Sequence, residues 1–430
     1  MDSGLDEHTA ASSSAWGATV IGGGAAGLMA AAVLAASVRT VLVTDRGLGT
    51  SNSVMAQGGL QVPTGPHEAA QQAMIDDLIA SGGAETDPDL VRQFVEDILP
   101  TVELLEKWGL RLDRHPDGRL VRHRAGGLSE PRIVGTADQI GPAVIKVLRS
   151  VVAGSGIEVL THCPVVDLAP GPKHVVVTTA TGEQLRCEAA VVATGGRTFE
   201  HATTTGQRST NPANANSVLT PVLSRLGLVR SPDRFQYQPF GLVEVSGSGP
   251  GRCVPESIIE HGVELIDGSG QIVSRVDVGR ARLTAAMFEA ERQGRAIRSS
   301  TGEAGFRLTL SSVPPDALTE QFPKLAATLE RAGMLGADVL VYPFLHYELS
   351  GFRMAVDCST PLPGVFLAGE AATGVHGRNR LMGAGLMDSL VHGRRAAHSV
   401  LDYLASGRSS AEALEPTTGS APESSAGSGQ

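Results

Sequence analysis

Apolar residues fall along this chain in short blocks whose period changes from strand-like to helical and back. The run Ala18-Thr19-Val20-Ile21 leads into Gly22-Gly23-Gly24-Ala25-Ala26-Gly27 and then the alanine-rich stretch Leu28 to Ala36, which predicts a strand, a tight turn and a helix. A second apolar run, Val41-Leu42-Val43, ends at Asp45. After Asp87-Pro88 the apolar positions Leu90, Val91, Phe94, Val95, Ile98 and Leu99 follow a helical period that continues to Trp108-Gly109, with Pro100 predicting a kink or a break. Strand-like runs at Ile157 to Leu160, His174 to Thr179 and Ala189 to Ala193, spaced by Pro170-Gly171-Pro172 and Thr181-Gly182, predict a β-meander ending in a buried strand. From about Phe235 to Val341 short strands mix with helical periods at Ala281 to Arg295 and Ala317 to Ala332. Gly364 to Glu370 then predicts a buried strand, followed by a glycine-rich loop and a last long helix.

The glycine turn carries the first chemistry. Its first glycine permits the tight turn, Gly24 lets backbone N–H groups approach a pyrophosphate, and Gly27 lets helix and strand pack closely, while the helix dipole favours negative charge. Asp45 stands about 20 residues on, where an acid receives ribose hydroxyls. The expected class is α/β, a Rossmann-like nucleotide-binding domain with an inserted α+β capping domain. Residues 15–234 and 343–407 form the first unit and residues 235–342 the cap; the polar stretches 1–14 and 408–430 lack apolar periodicity and read as a disordered leader and tail.

Composition removes several function classes. With 430 residues and 42% hydrophobic content the chain is long enough for more than one core. A formal net charge of −10, with lysine only at Lys107, Lys146, Lys173 and Lys324, argues against nucleic-acid or anionic-membrane binding. Cys163, Cys187, Cys253 and Cys358 lack the paired spacing of zinc or iron–sulfur ligands and read as reduced thiols, so no metal is expected. The first residues show no secretory signal pattern and no run reaches a membrane span, which points to the cytoplasm.

Three further segments narrow the nucleotide: Ser51-Asn52-Ser53-Val54-Met55-Ala56-Gln57-Gly58-Gly59, Ala193-Thr194-Gly195-Gly196, and Gly369-Glu370-Ala371-Ala372-Thr373-Gly374-Val375-His376-Gly377-Arg378-Asn379-Arg380. On these, the chain from about residue 16 to residue 406 resembles the FAD-dependent fumarate reductase and succinate dehydrogenase flavoprotein family, nearest its L-aspartate oxidase branch. The resemblance implies that Glu370 contacts the ribityl chain, that Ala56-Gln57-Gly58-Gly59 lies along the isoalloxazine, and that Gly383, Gly385 and Leu386 open the last helix toward the flavin pyrimidine. There the helix dipole would favour the negative charge of reduced flavin. It also implies FAD contacts at Arg46, Ser51, Ser53, Asp138, Val165, Val166, Ala193, Thr194, Gly369, Asn379 and Arg380. Members with covalent flavin carry a histidine where this chain has Asn52, so a non-covalent FAD is expected.

The same resemblance implies a carboxylate bound between cap and flavin. His346, in Pro343-Phe344-Leu345-His346-Tyr347, falls on the family's substrate histidine, and Arg380 on its carboxylate-binding arginine, whose guanidinium fork suits a carboxylate. The departures are in the pocket. Gln238 replaces the second substrate histidine, Phe240 the usual threonine, and Ala125 a glutamate associated with the substrate amine. Register on Asp277 puts Val276 at the cap arginine, leaving Arg275 or Arg280 as substitutes. Each charged hydrogen bond lost to a buried carboxylate costs about 1.5–3 kcal/mol, so a dicarboxylate would be held poorly. The expected function is an FAD-dependent oxidase or dehydrogenase taking a hydride from a carbon beside a carboxylate, the remainder of the substrate lying near Tyr237, Gln238 and Phe240, with oxygen or another acceptor reoxidising the flavin. L-aspartate oxidase activity in NAD biosynthesis and a non-catalytic flavin-binding homologue stand as alternatives.

Overall fold

The computed structural model describes residues 16–213, 215, 217–245 and 253–407. The polar leader 1–14 and tail 408–430 lie outside the described residues. The strand Trp16–Ile21 is central to a seven-stranded sheet, pairing in parallel with Thr40–Val43 on one side and Gln184–Val192 on the other. Alternate residues of these strands enter two different cores, Val20 and Leu42 on one face, Ile21, Val41 and Val43 on the other. Burial on both faces explains why the runs read as continuously apolar. The helix Ala25–Leu34 is buried almost all round, between this sheet and the last helix, Ala384–Ala405. Small side chains make that closeness possible: a Cβ on Gly393 would lie 2.4 Å from the Ala26 carbonyl oxygen.

Three expectations about elements change. Val165–Pro170, Val175–Thr179 and Gln184–Val192 do form an antiparallel succession, but Glu158–Leu160 is no part of it and pairs in parallel with Thr40–Val43 at the opposite edge. A three-residue apolar run says nothing about its neighbour. The helix Pro88–Lys107, capped by the Asp87 carboxylate accepting from Asp89 N and Leu90 N, runs unbroken through Pro100. The period over Ala317 to Ala332 divides into Pro315–Gln321 and Pro323–Arg331, because Pro323 forces Phe322 out of helical geometry, φ −130° and ψ 52°. The period over Ala281 to Arg295 is the helix Arg280–Arg292.

A second, six-stranded sheet contains Ile272–Ser274, Leu265–Ile266, Ala304–Leu308, Val339–Glu348 and Phe235–Leu242 in antiparallel order, with Ile297–Arg298 on Ala304–Leu308. It has its own core around Leu265, Met287, Phe306 and Leu325. Phe235–Leu242 and Val339–Glu348 pair with Phe344 opposite Gln238. These two strands carry Gln238 and His346 toward the first sheet.

Candidate active site

Two adjoining cavities form one cleft. The first, about 930 Å³, is lined by Gly22, Gly24, Ala25, Ala26, Asp45, Ser51, Asn52, Ser53, Val165, Ala193, Thr194, Gly195, Gly369 and Glu370. The second, about 880 Å³, is lined by Ala56, Gln57, Gly58, Gly59, Gln238, Arg280, His346, Arg380, Gly383, Gly385 and Leu386. Asn52, Ser53, Glu370 and Ser389 belong to both.

The first cavity is a backbone cradle. Gly22 has φ +120°, and a Cβ there would lie 2.2 Å from the Ala193 carbonyl oxygen; one on Gly27, which packs behind the cavity, would lie 1.9 Å from that of Gly22. Gly24 caps the helix Ala25–Leu34, whose Ala25 N–H donates to Ser53 Oγ at 3.2 Å. The Ser51 hydroxyl is buried without a partner, and partial burial raises the Asp45 carboxyl above its usual range. An orphaned hydroxyl and a helix N-terminus at one end, with a carboxylate at the other, fit the pyrophosphate and ribose of a dinucleotide.

The second cavity concentrates charge. Arg380 is 6% exposed, and burial followed by the nearby Arg280 pulls its guanidinium down to about 10. Its Cζ lies 4.5 Å over the Tyr347 ring, and its Nε has no partner. Arg280, at the start of its helix, sets Nη2 2.6 Å from Glu256 Oε1 and donates from Nη1 to Gln236 Oε1 at 3.3 Å. His346 shares a 2.7 Å hydrogen bond between Nδ1 and the Thr210 hydroxyl. Burial and the two arginines depress the imidazole well below its usual value, so it is neutral at physiological pH. Glu370, between the two cavities, accepts the Glu348 N–H at 2.8 Å, and burial pushes it up to about 7.

The structure does not gather every expected residue here. Arg275 is out: its side chain is 80% exposed and paired with Asp277, one turn before the helix that delivers Arg280. Tyr237 faces away from Gln238, as strand alternation requires, and donates to Gln207 Oε1 at 2.8 Å in a separate cavity with Phe288 and Tyr342. Phe240 is 1% exposed within the cap core. Neither residue lines the cleft, so an apolar part of the substrate beside them is not supported. Arg46 is exposed and Val166 is 46% exposed, both outside the cavity lining. Asp138 lies behind the cleft, where its carboxylate accepts from Lys324 N and Leu325 N. Asn379 lies behind Arg380, accepting from Gln236 Nε2 at 2.6 Å. Ala125 packs against Ile133 and Met382, while Val276 packs on the cap core.

Thr210, Cys253, Glu256 and Tyr347 line the second cavity without having been expected there. Glu256 opens a short 3-10 helix, an irregular stretch with no period to read, and its pairing with Arg280 is purely tertiary. Among the described residues no group of three or more His, Cys, Asp or Glu is placed to hold a metal ion, and no helix is long and apolar enough to cross a membrane.

Comparison with known proteins gives the cofactor. The FAD binding domain family matches residues 18–386. The chain is 28% identical over 408 residues to an L-aspartate oxidase of Synechocystis sp., covering 90% of this chain and 71% of that one. It is 30% identical over 403 residues to an L-aspartate oxidase of Streptomyces coelicolor, covering 89% and 67%. Its fold matches E. coli quinol fumarate reductase FrdA with a TM-score of 0.82 at 24% identity, over 91% of this chain and 71% of that chain. With a dinucleotide cradle that fits FAD and a charged cavity adjoining it, the chain belongs to the FAD binding domain family and is an FAD-dependent oxidoreductase related to the L-aspartate oxidases, with the fold of the fumarate reductase flavoprotein.

Proposed function

We propose that this oxidoreductase takes a hydride from a carbon beside a carboxylate in a small amino acid or carboxylic acid, in a pocket redirected from aspartate and succinate. The observation that carries the reading is the meeting of Arg380, Arg280 and His346 on the cavity that shares Asn52, Ser53, Glu370 and Ser389 with the dinucleotide cradle. Bound FAD supplies hydride acceptance. Arg380, desolvated and with Nε unpaired, takes the carboxylate, and the neutral His346 adds a hydrogen bond through Nε2, since Nδ1 is occupied by Thr210. The proton lost from the neighbouring atom passes to the Glu256 carboxylate, which Arg280 holds with Nη2 2.6 Å from Oε1. Gly383 and Gly385 bring the N-terminus of the last helix to the same cavity, where its dipole favours an electron-rich flavin.

Anaerobic mixing with a panel of amino and carboxylic acids tests this through bleaching of the flavin absorbance. At least one member should bleach it, and Arg380→Met should raise the half-saturating concentration about tenfold to a hundredfold. Absence of bleaching with every member would favour a non-catalytic flavoprotein. L-aspartate oxidase activity is the second reading, favoured by the 28% and 30% identities to such enzymes. Rapid aspartate-dependent peroxide release would establish it over the redirected pocket. FAD is held without a covalent bond, Asn52 standing at the junction of the two cavities. Acid precipitation should leave the yellow colour in the supernatant; a yellow pellet contradicts it.

A further inference from the structure

A chain of hydrogen bonds along the wall of the second cavity has a defined polarity. It starts at Asp138, which is 1% exposed and follows Ala137, a non-glycine residue in the left-handed region at φ +44°. Both Asp138 oxygens accept backbone N–H groups at the start of the helix Pro323–Arg331, from Lys324 at 3.0 Å and Leu325 at 2.9 Å. A carboxylate so placed is an acceptor only. Gln57 stands next to Asp138, and a carboxylate neighbour favours the amide orientation that turns the NH₂ toward it and leaves Oε1 on the far side. That oxygen accepts from the Cys253 thiol, with Sγ 3.5 Å away. The thiol proton is committed, so the sulfur can only accept from its other neighbour, and Gln238 Nε2 donates to it at 3.7 Å. The end of the chain is Gln238 Oε1, on a side chain that is 5% exposed, lines the cavity, and finds no hydrogen-bond partner in the protein.

We infer that this relay makes Gln238 a fixed hydrogen-bond acceptor, so that the substrate is a monocarboxylic acid whose far end carries an uncharged donor, an amide N–H or a hydroxyl, instead of a second carboxylate. The inference rests on the proposal above that Arg380 holds one carboxylate, and it names what the other end of the same cavity recognises. A buried acceptor left unpaired discriminates strongly against ligands that bring no donor, and more so against one that brings a negative charge. The charges around the cavity agree: Arg280 is already matched by Glu256, which leaves Arg380 for one anionic group. Every member of the relay is either neutral or, in Asp138, already satisfied, so no counter-charge awaits an ammonium at that end. Cys253 serves as a spacer of fixed polarity and not as a nucleophile, since burial pushes its thiol up to about 11.

The test is a titration of the FAD-loaded protein followed by perturbation of the flavin absorbance, with three probes of nearly one shape. Succinamate carries a carboxylate and an amide donor, succinate two carboxylates, and monomethyl succinate a carboxylate and an ester without a donor. Succinamate is expected to bind about tenfold or more tightly than either of the others. Gln238→Met should erase its advantage over the ester, and Cys253→Ala, which frees the amide to turn over, should narrow its advantage over succinate. Succinate binding as well as or better than succinamate overturns the relay inference while leaving the carboxylate-oxidase reading intact. If none of the three perturbs the flavin, or if Arg380→Met leaves their binding unchanged, the underlying reading fails as well.

Discussion

Glu370 is held where its charge is hardest to keep. Burial is the largest influence and pushes it up to about 7; the Glu348 N–H and Arg380 oppose this, while the charge of Glu348 adds to it. An acid whose folded value lies above its ordinary 4.5 binds more protons folded than unfolded between those limits. Its stabilisation is therefore complete below about pH 4.5 and is lost as pH rises through about 7. Glu370→Gln keeps the shape and removes the charge. In the FAD-free protein it should raise stability by about 1–3 kcal/mol at pH 8 and by little at pH 5, read as urea midpoints at the two pH values. An equal gain at both would mean that burial of the charge is not the cause. The same residue explains Gly196, where a Cβ would sit 2.6 Å from Glu370 Oε1.

Among elements, the close pair of helices Ala25–Leu34 and Ala384–Ala405 sets the limit on side-chain size. Gly393→Ala puts a Cβ 2.4 Å from a backbone oxygen of the facing helix, which neither rotamers nor small shifts relieve. It should cost about 1–3 kcal/mol or more and loosen FAD, because the facing helix presents its N-terminus to the cradle. Gly154→Ala, at an exposed helix end with open space around it, should be neutral or stabilise by about 0.4–1 kcal/mol. Thermal melts of the two variants give the comparison, and similar losses in both would contradict the packing explanation. The strand–turn–helix at Trp16 to Leu34 was legible because its causes are local, within a dozen residues of glycine and alanine chemistry. What was not legible depends on long-range pairing or on which face a side chain takes. Glu158–Leu160 could have joined either edge of the sheet, and nothing in residues 253–280 announces that Glu256 meets Arg280. Tyr237 and Gln238 belong to one motif, yet a period of two puts adjacent strand residues on opposite faces. Arg275 and Arg280 both stood near the expected cap arginine, and only the start of the helix at Arg280 decided between them.

At the scale of the whole molecule, the two sheets are joined by the strands that pass between them and by a few side chains, and these joints differ greatly in burial. His123 Nδ1 lies 2.8 Å from Glu260 Oε2, and the Arg124 N–H donates to Glu260 Oε1 at 2.7 Å, but both side chains of the ion pair are about one-third exposed. Such contacts contribute at most about 1 kcal/mol. Asp138 is different: it reaches from the first unit to the start of Pro323–Arg331 in the second and satisfies two N–H groups that no helical carbonyl can reach. Without it those donors are stranded in a closed interface, at about 1–3 kcal/mol. Asp138→Ala should therefore speed hydrogen exchange at Lys324 and Leu325 and open the cleft enough for iodide to quench the flavin, whereas Glu260→Ala should change neither by more than about twofold. Unchanged exchange at those two amides in Asp138→Ala would show that the cap is seated by its strands alone. A cap that loosens in Asp138→Ala while the melting of the FAD-binding unit stays put would show that the carboxylate acts on the seating of the cap, and through Gln57 on the cavity wall, more than on the stability of the fold.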